Sequence, residues 1–309
     1  MLAKLFKKVL PGAVQPAGSE APSASTSAAG TPAASAPAAA DDLPPGHKPE
    51  SEVGLGAVYG ERIDWPSSAL DGREDLEQMA GLPIFELWQK IPGGHKWLHY
   101  FRAYEKVFGA RRAEPLRVLE IGVYRGASLK LWREYFTHPD TVIAALDIQP
   151  GCTEYADPAR NVHVRIGDQT DAAFLRSVVE EFGPFDIIID DGSHISSHMI
   201  KSFNELFLDG LKDPGIYLVE DLHANYWKGY RDSELSFIDL ARQLVEVMHF
   251  PYMLAPDLSY YVLGWPQRLT SMSVPLVTTL IEEIRFFDSI VVVTKKRRKY
   301  IPLSYHMME

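Results

Sequence analysis

Acidic side chains close five short apolar runs in this chain. Glu120 follows LRVL, Asp147 follows VIAAL, and Asp168 follows VHVRIG; Asp190 and Asp191 follow FDIII, and Glu220 and Asp221 follow IYLV. Carboxylates at strand ends can accept hydrogen bonds from the hydroxyl and amino groups of a nucleoside, or hold a hard cation. The first junction reads Glu120-Ile121-Gly122-Val123-Tyr124-Arg125-Gly126-Ala127-Ser128. Gly122 lets the chain turn sharply, and Gly126 lets a helix start approach a ligand. This is a G-x-x-x-G spacing, not the G-x-G-x-x-G of nicotinamide binders. Glu120 repels pyrophosphate but suits the cationic methionyl end of S-adenosylmethionine. On this reading Glu120, Gly122, Tyr124, Gly126 and Ser128 line the methionyl end. Asp147, 27 positions after Glu120, accepts the ribose hydroxyls, Asp168 and Gln169 meet the adenine amino group, and Asp190 completes the cofactor site.

Asp191, Glu220 and Asp221 form a second group. If the runs before them are neighbouring strands, three hard oxygen ligands converge, and these select Mg²⁺ or Ca²⁺ over zinc. Carboxylates so close repel one another, and a cation relieves the repulsion; the bland alternative is separate capping of helix starts. His194, three positions after Asp191, stands where a neutral imidazole can take the proton of a metal-bound hydroxyl. Two other readings stay open. His194 and His198 are one helical turn apart, as in a zinc pair. His194, His223 and Asp191 could supply the two histidines and one carboxylate of an iron hydroxylase. A partner that holds the cofactor without turnover is a third class.

The elements that must position these groups follow from periodicity. LRVLEIG, TVIAALD, NVHVRIGD, FDIIIDD and GIYLVED alternate with the amphipathic stretches SLKLWREYF, AAFLRSVVEEF and MIKSFNELFLDGL. Strands separated by helices of this length indicate an α/β fold with a doubly wound, mostly parallel sheet. EIRFFDSIVVVTK reads as two strands around a turn near Asp288, an antiparallel hairpin at one edge. Upstream, residues 95–108 carry Trp97, Leu98, Phe101, Tyr104 and Phe108 at helical spacing, stopping at Gly109. The expected organisation is a helical segment over 73–112, a catalytic domain over 113–298 and a tail over 299–309. Residues 227–232 and 252–265 are expected as pocket walls.

The remaining sequence is less informative. MLAKLFKKVL places apolar residues on one helical face and lysines on the other, which allows a weak membrane-surface contact through residues 1–10. Residues 11–72, rich in Ala, Pro, Ser and Gly in their first part, read as a tether that cannot bury enough apolar surface to order itself. A net charge of −10 disfavours nucleic acid. The single cysteine, Cys152, rules out an internal disulfide and fits a reducing compartment; no apolar run spans a bilayer and no signal sequence is evident, so the expected location is cytoplasmic. The basic run 295–299 reads as a solvated strand end.

EIGVYRGAS, IDDGSH, VEDLH and the upstream HKWLHYF together resemble bacterial metal-dependent O-methyltransferases of the macrolide-sugar and rhamnosyl type, and proteins named as cephalosporin hydroxylases. The resemblance spans residues 95–295. It implies a seven-stranded Rossmann-like methyltransferase fold, a homo-oligomer, Mg²⁺ on Asp191, Glu220 and Asp221, and His194 as base. Catechol-type methyltransferases are more distantly similar, with a lysine in place of His194. The expected activity is S-adenosylmethionine-dependent, Mg²⁺-assisted methylation of a hydroxyl on a sugar or on a glycosylated small molecule or lipid. Calorimetric titration is expected to show binding of S-adenosylmethionine and none of NAD; absence of S-adenosylmethionine binding, with Mg²⁺ and with chelator, would refute the strand-end reading.

Overall fold

The computed structural model describes residues 72–305. Expectations for residues 1–10, for the tether up to residue 71 and for 306–309 lie outside the described residues. Five strands, β1 (Arg117–Ile121), β2 (Val142–Asp147), β3 (Val162–Ile166), β4 (Phe185–Asp190) and β5 (Leu211–Val219), run parallel in the order β3-β2-β1-β4-β5. A hairpin of β6 (Ile281–Phe287) and β7 (Ile290–Lys295) completes the seven-stranded sheet. β7 lies antiparallel beside β5 and β6 forms the edge, as the sequence led us to expect.

Helices cover both faces, which is why the central strands read as unbroken Val, Ile and Leu runs. On one face lie α1 (Arg73–Met79), α2 (Pro83–Trp88), α3 (Tyr100–Phe108) and α4 (Ala127–Tyr135), packed on Val118, Ile143, Ile187 and Ile189. On the other lie α5 (Ala172–Phe182), α6 (Ser196–Asp209) and α7 (Phe237–Met248), packed on Leu119, Ile121, Ala144 and Ile188. The pleat therefore sends alternate residues of each strand to opposite layers. Aromatic contacts anchor the upstream helices: Trp132 of α4 meets Tyr104 of α3 edge-on at 5.2 Å, and Phe85 of α2 meets Phe101 at 5.2 Å. No helix among the described residues is long and apolar enough to cross a membrane.

Three expectations need correction. The helical spacing of 95–108 becomes a helix only from Tyr100, and residues 95–98 are irregular, because the Lys96 side chain is drawn to carboxylates at the sheet's end. Residues 252–261 do line a cavity, of about 330 Å³, but they share it with residues 302–304 and not with the strand-end carboxylates, and Val262 bridges Ser304. The basic run is a solvated strand end only in part: Lys296, Arg297 and Lys299 are exposed, but Lys295 is buried, and its Nζ donates to the carbonyls of Phe207, Leu208 and Leu211 at 2.9, 2.7 and 2.6 Å. Lys296 pairs with Glu282 at 2.6 Å, and Arg298 donates to the carbonyls of Met248 and Thr278.

A cation on the last carbonyls of α6 satisfies acceptors that the helix leaves open. Lys295→Met keeps the apolar stem and strands those carbonyls, so about 2 kcal/mol of stability should be lost. The melting midpoint should then fall by roughly 4–8 °C. An unchanged midpoint would show that the ammonium does not hold this junction.

Candidate active site

The turn after β1 is built around two positions where only glycine fits. Gly122 has φ 94°, and a Cβ there would overlap the carbonyl oxygen of Asp191. Gly126 has φ 69° and caps α4; a Cβ would overlap the ring of Tyr155, so the space above this glycine is filled by that ring. Between them Tyr124, with φ 50°, projects into solvent. Asp147 ties this turn to β2: its Oδ2 accepts from the backbone N–H of Val123 and Tyr124 at 2.8 and 3.0 Å, and its Oδ1 from Gln149 at 2.8 Å. Burial alone would raise the Asp147 pKa; the three N–H donors outweigh it and hold the carboxyl below its usual value.

Glu120 points down from β1 into the layer of α3 and α4. Its carboxylate accepts from the Ser128 hydroxyl at 3.0 Å and the Trp132 indole at 2.7 Å. Complete burial pushes its pKa up to about 7 against the opposing charge of Lys96.

Parallel pairing of β4 and β5 sets Asp190 opposite Val219, so Asp191 and Glu220 emerge side by side. Lys96 bridges them, bonded to Asp191 and, at 2.6 Å, to Glu220 Oε2. Burial alone would lower the Lys96 pKa, but Asp191 and Glu220 push it well above normal and keep the ammonium charged. Burial, and then the charge of Asp191, raise Glu220 to about 8. One residue further, Asp221 sits at φ 53°, with Tyr100 donating to its Oδ1 at 2.6 Å and its own N–H donating back to that hydroxyl at 3.2 Å. His194, at φ 58°, brings Nε2 within 3.5 Å of Asp221 Oδ2. Non-glycine residues held left-handed at three adjacent strand-end turns mark a site whose geometry is imposed by its surroundings.

One ligand atom each of Asp191, His194 and Asp221 lies within 4.8 Å of the others. Two buried atoms beside them, Glu220 Oε1 and His194 Nδ1, have no hydrogen-bond partner. Two hard carboxylates and an unpartnered carboxylate oxygen, with an imidazole beside them, fit a divalent cation of the Mg²⁺ type. The zinc and iron alternatives are not assembled. His198 Nδ1 bonds to Ser193 at 2.9 Å, His223 Nδ1 bonds to Ser289 at 2.5 Å, and neither belongs to the group around Asp191.

Gln169 and Asp190 depart from the expected cofactor contact. Asp190 falls on the opposite side of the pleat from Glu220 and is fully enclosed, with Gln169 Nε2 at 3.4 Å and the Tyr217 hydroxyl at 3.5 Å; burial lifts its pKa to about 7. The Gln169 amide is engaged at both ends, donating to Ser202 at 3.0 Å and accepting from the Ser193 N–H at 2.8 Å. Both brace the strand ends from below. Asp168 alone of that group is exposed, its Oδ1 accepting from the Thr170 N–H at 2.7 Å. Lys96 and Tyr100 are site residues that the sequence reading did not single out.

A cavity of about 60 Å³ lies beside the β1 turn, lined by Trp88, Gly93, Gly94, Lys96, Gly122–Arg125 and Asp191 among others. A larger one, about 980 Å³, lies along α4 between Lys90, Arg133, Tyr155 and Arg160, and none of the strand-end carboxylates lines it. The smaller space is the one that the β1 turn and Asp191 share.

Because folding raises the Glu120 pKa from 4.5 to about 7, its contribution to stability is fullest below pH 4.5 and declines as pH rises towards 7. Denaturant titration of the protein at pH 4.5 and 7.5 should show less of this decline in Glu120→Gln than in the parent. The difference should be on the order of 3 kcal/mol, and parallel behaviour would refute the burial of a titrating Glu120.

No family model matches the chain. It is 37% identical over 174 residues to 8-demethyl-8-(2-methoxy-alpha-L-rhamnosyl)-tetracenomycin-C 3'-O-methyltransferase of Streptomyces olivaceus, covering 52% of this chain and 43% of that protein. It is 39% identical over 142 residues to mycinamicin VI 2''-O-methyltransferase of Micromonospora griseorubida, covering 43% of this chain and 34% of the relative. The chain thus spans less than half the length of the curated relatives it matches. Among solved structures, the MycE methyltransferase of mycinamycin biosynthesis, in complex with Mg, SAH and mycinamycin VI, superposes with TM-score 0.58 at 26% identity, covering 84% of this chain and 64% of that one. Over about half its length the chain is similar in sequence to bacterial sugar O-methyltransferases, and it has the Rossmann-like methyltransferase fold.

Proposed function

We propose that the chain transfers the methyl group of S-adenosylmethionine to a hydroxyl of a sugar carried by a small molecule, with Mg²⁺ as the resident cation. The observation that carries this reading is the convergence of Asp191, His194 and Asp221 at the ends of β4 and β5, next to the glycine turn of β1. Relatives named for methylating rhamnosyl and olivosyl groups support the acceptor class, and the homologous structure with Mg, SAH and a glycosylated macrolide supports the cofactors.

The β1 turn and Asp147 receive the methionyl and ribose portions, and exposed Asp168 stands nearest the expected adenine. Asp191 and Asp221 hold the cation, with the unpartnered oxygen of Glu220 available to it. Bound Mg²⁺ supplies Lewis acidity that lowers the pKa of the acceptor hydroxyl. His194, oriented by Asp221, takes the hydroxyl proton as the oxygen attacks the methyl carbon in line with the departing sulfur. Tyr100 fixes Asp221 and so sets the direction of both groups. The chain's main contribution is placement of oxygen, methyl and base in one line, which shifts the entropic cost to binding.

With saturating Mg²⁺ and acceptor, His194→Ala should lower kcat by about 10²- to 10⁴-fold while calorimetric affinity for S-adenosylmethionine is retained. Asp191→Asn should abolish the response to added Mg²⁺. Full turnover of His194→Ala would remove it from the base role.

A further inference from the structure

Five rings form an unbroken arc around Asp221. Trp97 and His223 have centroids 5.3 Å apart, His223 and Trp227 4.4 Å, Trp227 and Tyr230 6.2 Å, and Tyr230 and His194 6.5 Å. The two histidines approach Asp221 from both sides, at 3.5 Å for His194 and 4.0 Å for His223. The outer members stand open: Trp97 is 46% exposed, Trp227 50% and Tyr230 38%. They come from separate segments, Trp97 from the approach to α3 and the other two from the loop after β5. Trp132, by contrast, is wholly buried. Apolar rings left half in water forgo burial that would stabilise the fold. Gathered into a wall beside convergent polar groups, they have the make-up of a ligand-binding surface.

The chemistry of the wall selects an occupant. A pyranose has a face of C–H bonds with partial positive charge, and this face complements the negative face of an indole. Its hydroxyls project from the rim and need acceptors, which Asp221, beside both histidines of the arc, and the neighbouring Asp191 supply. An anionic group would meet those carboxylates unfavourably. Neighbouring rings are inclined at 75°, 64° and 63°, so they make a curved wall and not the parallel slot that would stack a flat polycycle.

We propose that this arc, with Trp97 and Trp227 as its indole faces, is the subsite that seats the pyranose ring bearing the reacting hydroxyl. The inference rests on the methyl-transfer reading and adds the residues that select a sugar over a simple alcohol or phenol. Trp97 follows Lys96 directly, so the bridge from Lys96 to Asp191 and Glu220 also places one end of the wall.

The test uses the full chain with Mg²⁺ and methyl α-L-rhamnopyranoside as probe, in two measurements. Saturation-transfer NMR should show magnetisation passing from the protein to the C–H protons of one face of the sugar, and Trp97→Ala and Trp227→Ala should each weaken probe binding about tenfold. Trp227→Phe should restore most of the loss, and Trp265→Ala, equally exposed but outside the arc, should leave probe binding at the parent level. In turnover, KM for the glycoside should rise by more than kcat falls, with S-adenosylmethionine affinity retained as evidence of folding. No transfer to the glycoside from the parent protein, or unaltered probe affinity in both alanine variants, overturns the proposal. If S-adenosylmethionine binds and a phenol is methylated equally by the parent and both variants, the subsite fails while methyl transfer stands. If S-adenosylmethionine does not bind, methyl transfer fails, and the NMR arm decides the subsite independently.

Discussion

The architecture of the site depends on one buried ammonium between two carboxylates. Parallel pairing of β4 with β5 forces Asp191 and Glu220 to leave the sheet together, Glu220 fully buried and Asp191 partly so. Two like charges about 4 Å apart repel by roughly 4 kcal/mol at the effective dielectric of a protein, and burial adds to the penalty. Lys96 offsets both, and the cost of its own burial is met by the two anions. The consequences spread along the chain. Residues 95–98 leave the helical path, α3 begins at Tyr100, and that start places the Tyr100 hydroxyl on Asp221.

The pleat is the second constraint. Residues of one parity face α3 and α4, those of the other face α5 and α6, and each strand-end carboxylate inherits the side of its position. Glu120 and Glu220 fall on the side of Lys96, where one is satisfied by Trp132 and Ser128 and the other by the ammonium. Asp190 falls on the opposite side and braces Gln169, which in turn holds the Ser193 N–H and the loop carrying His194. A residue that touches no ligand can thus set the position of one that does.

Strain is concentrated where the chain leaves β1, β4 and β5. Gly122 accepts its positive φ freely, whereas Tyr124, His194 and Asp221 do not, and each is held by packing or hydrogen bonds. The β1 turn is closed by Asp147 and by Asp191's own backbone, so the loops after β1 and β4 touch through main-chain atoms. Displacement of one loop is therefore felt by the other.

The mostly parallel sheet, the doubly wound layers and the edge hairpin were legible in the sequence, because two-sided burial leaves continuous apolar runs and the turn at Asp288 is local. That Asp191, Glu220 and Asp221 come together was an expectation of the sequence, since adjacent parallel strands must end near one another; that His194, and not Glu220, joins the two aspartates in the converging group was not. α7 was also readable: Ser236 and Asp239 form a capping box before FIDLARQLVEVM, a signal the strand-end argument passed over. The side taken by Asp190 could have been found by counting the pleat along β4; that of Gln169, in the loop beyond β3, could not. Lys96 and Tyr100 could not, because nothing local in HKWLHY distinguishes a solvated lysine from one drawn across 95 residues to Asp191. The sequence by itself determined which residues bear charge and which runs become strands, both local properties of side chains. Only the tertiary structure decided which charges meet, because burial and pairing depend on surfaces that exist once the sheet and its helices have closed on each other.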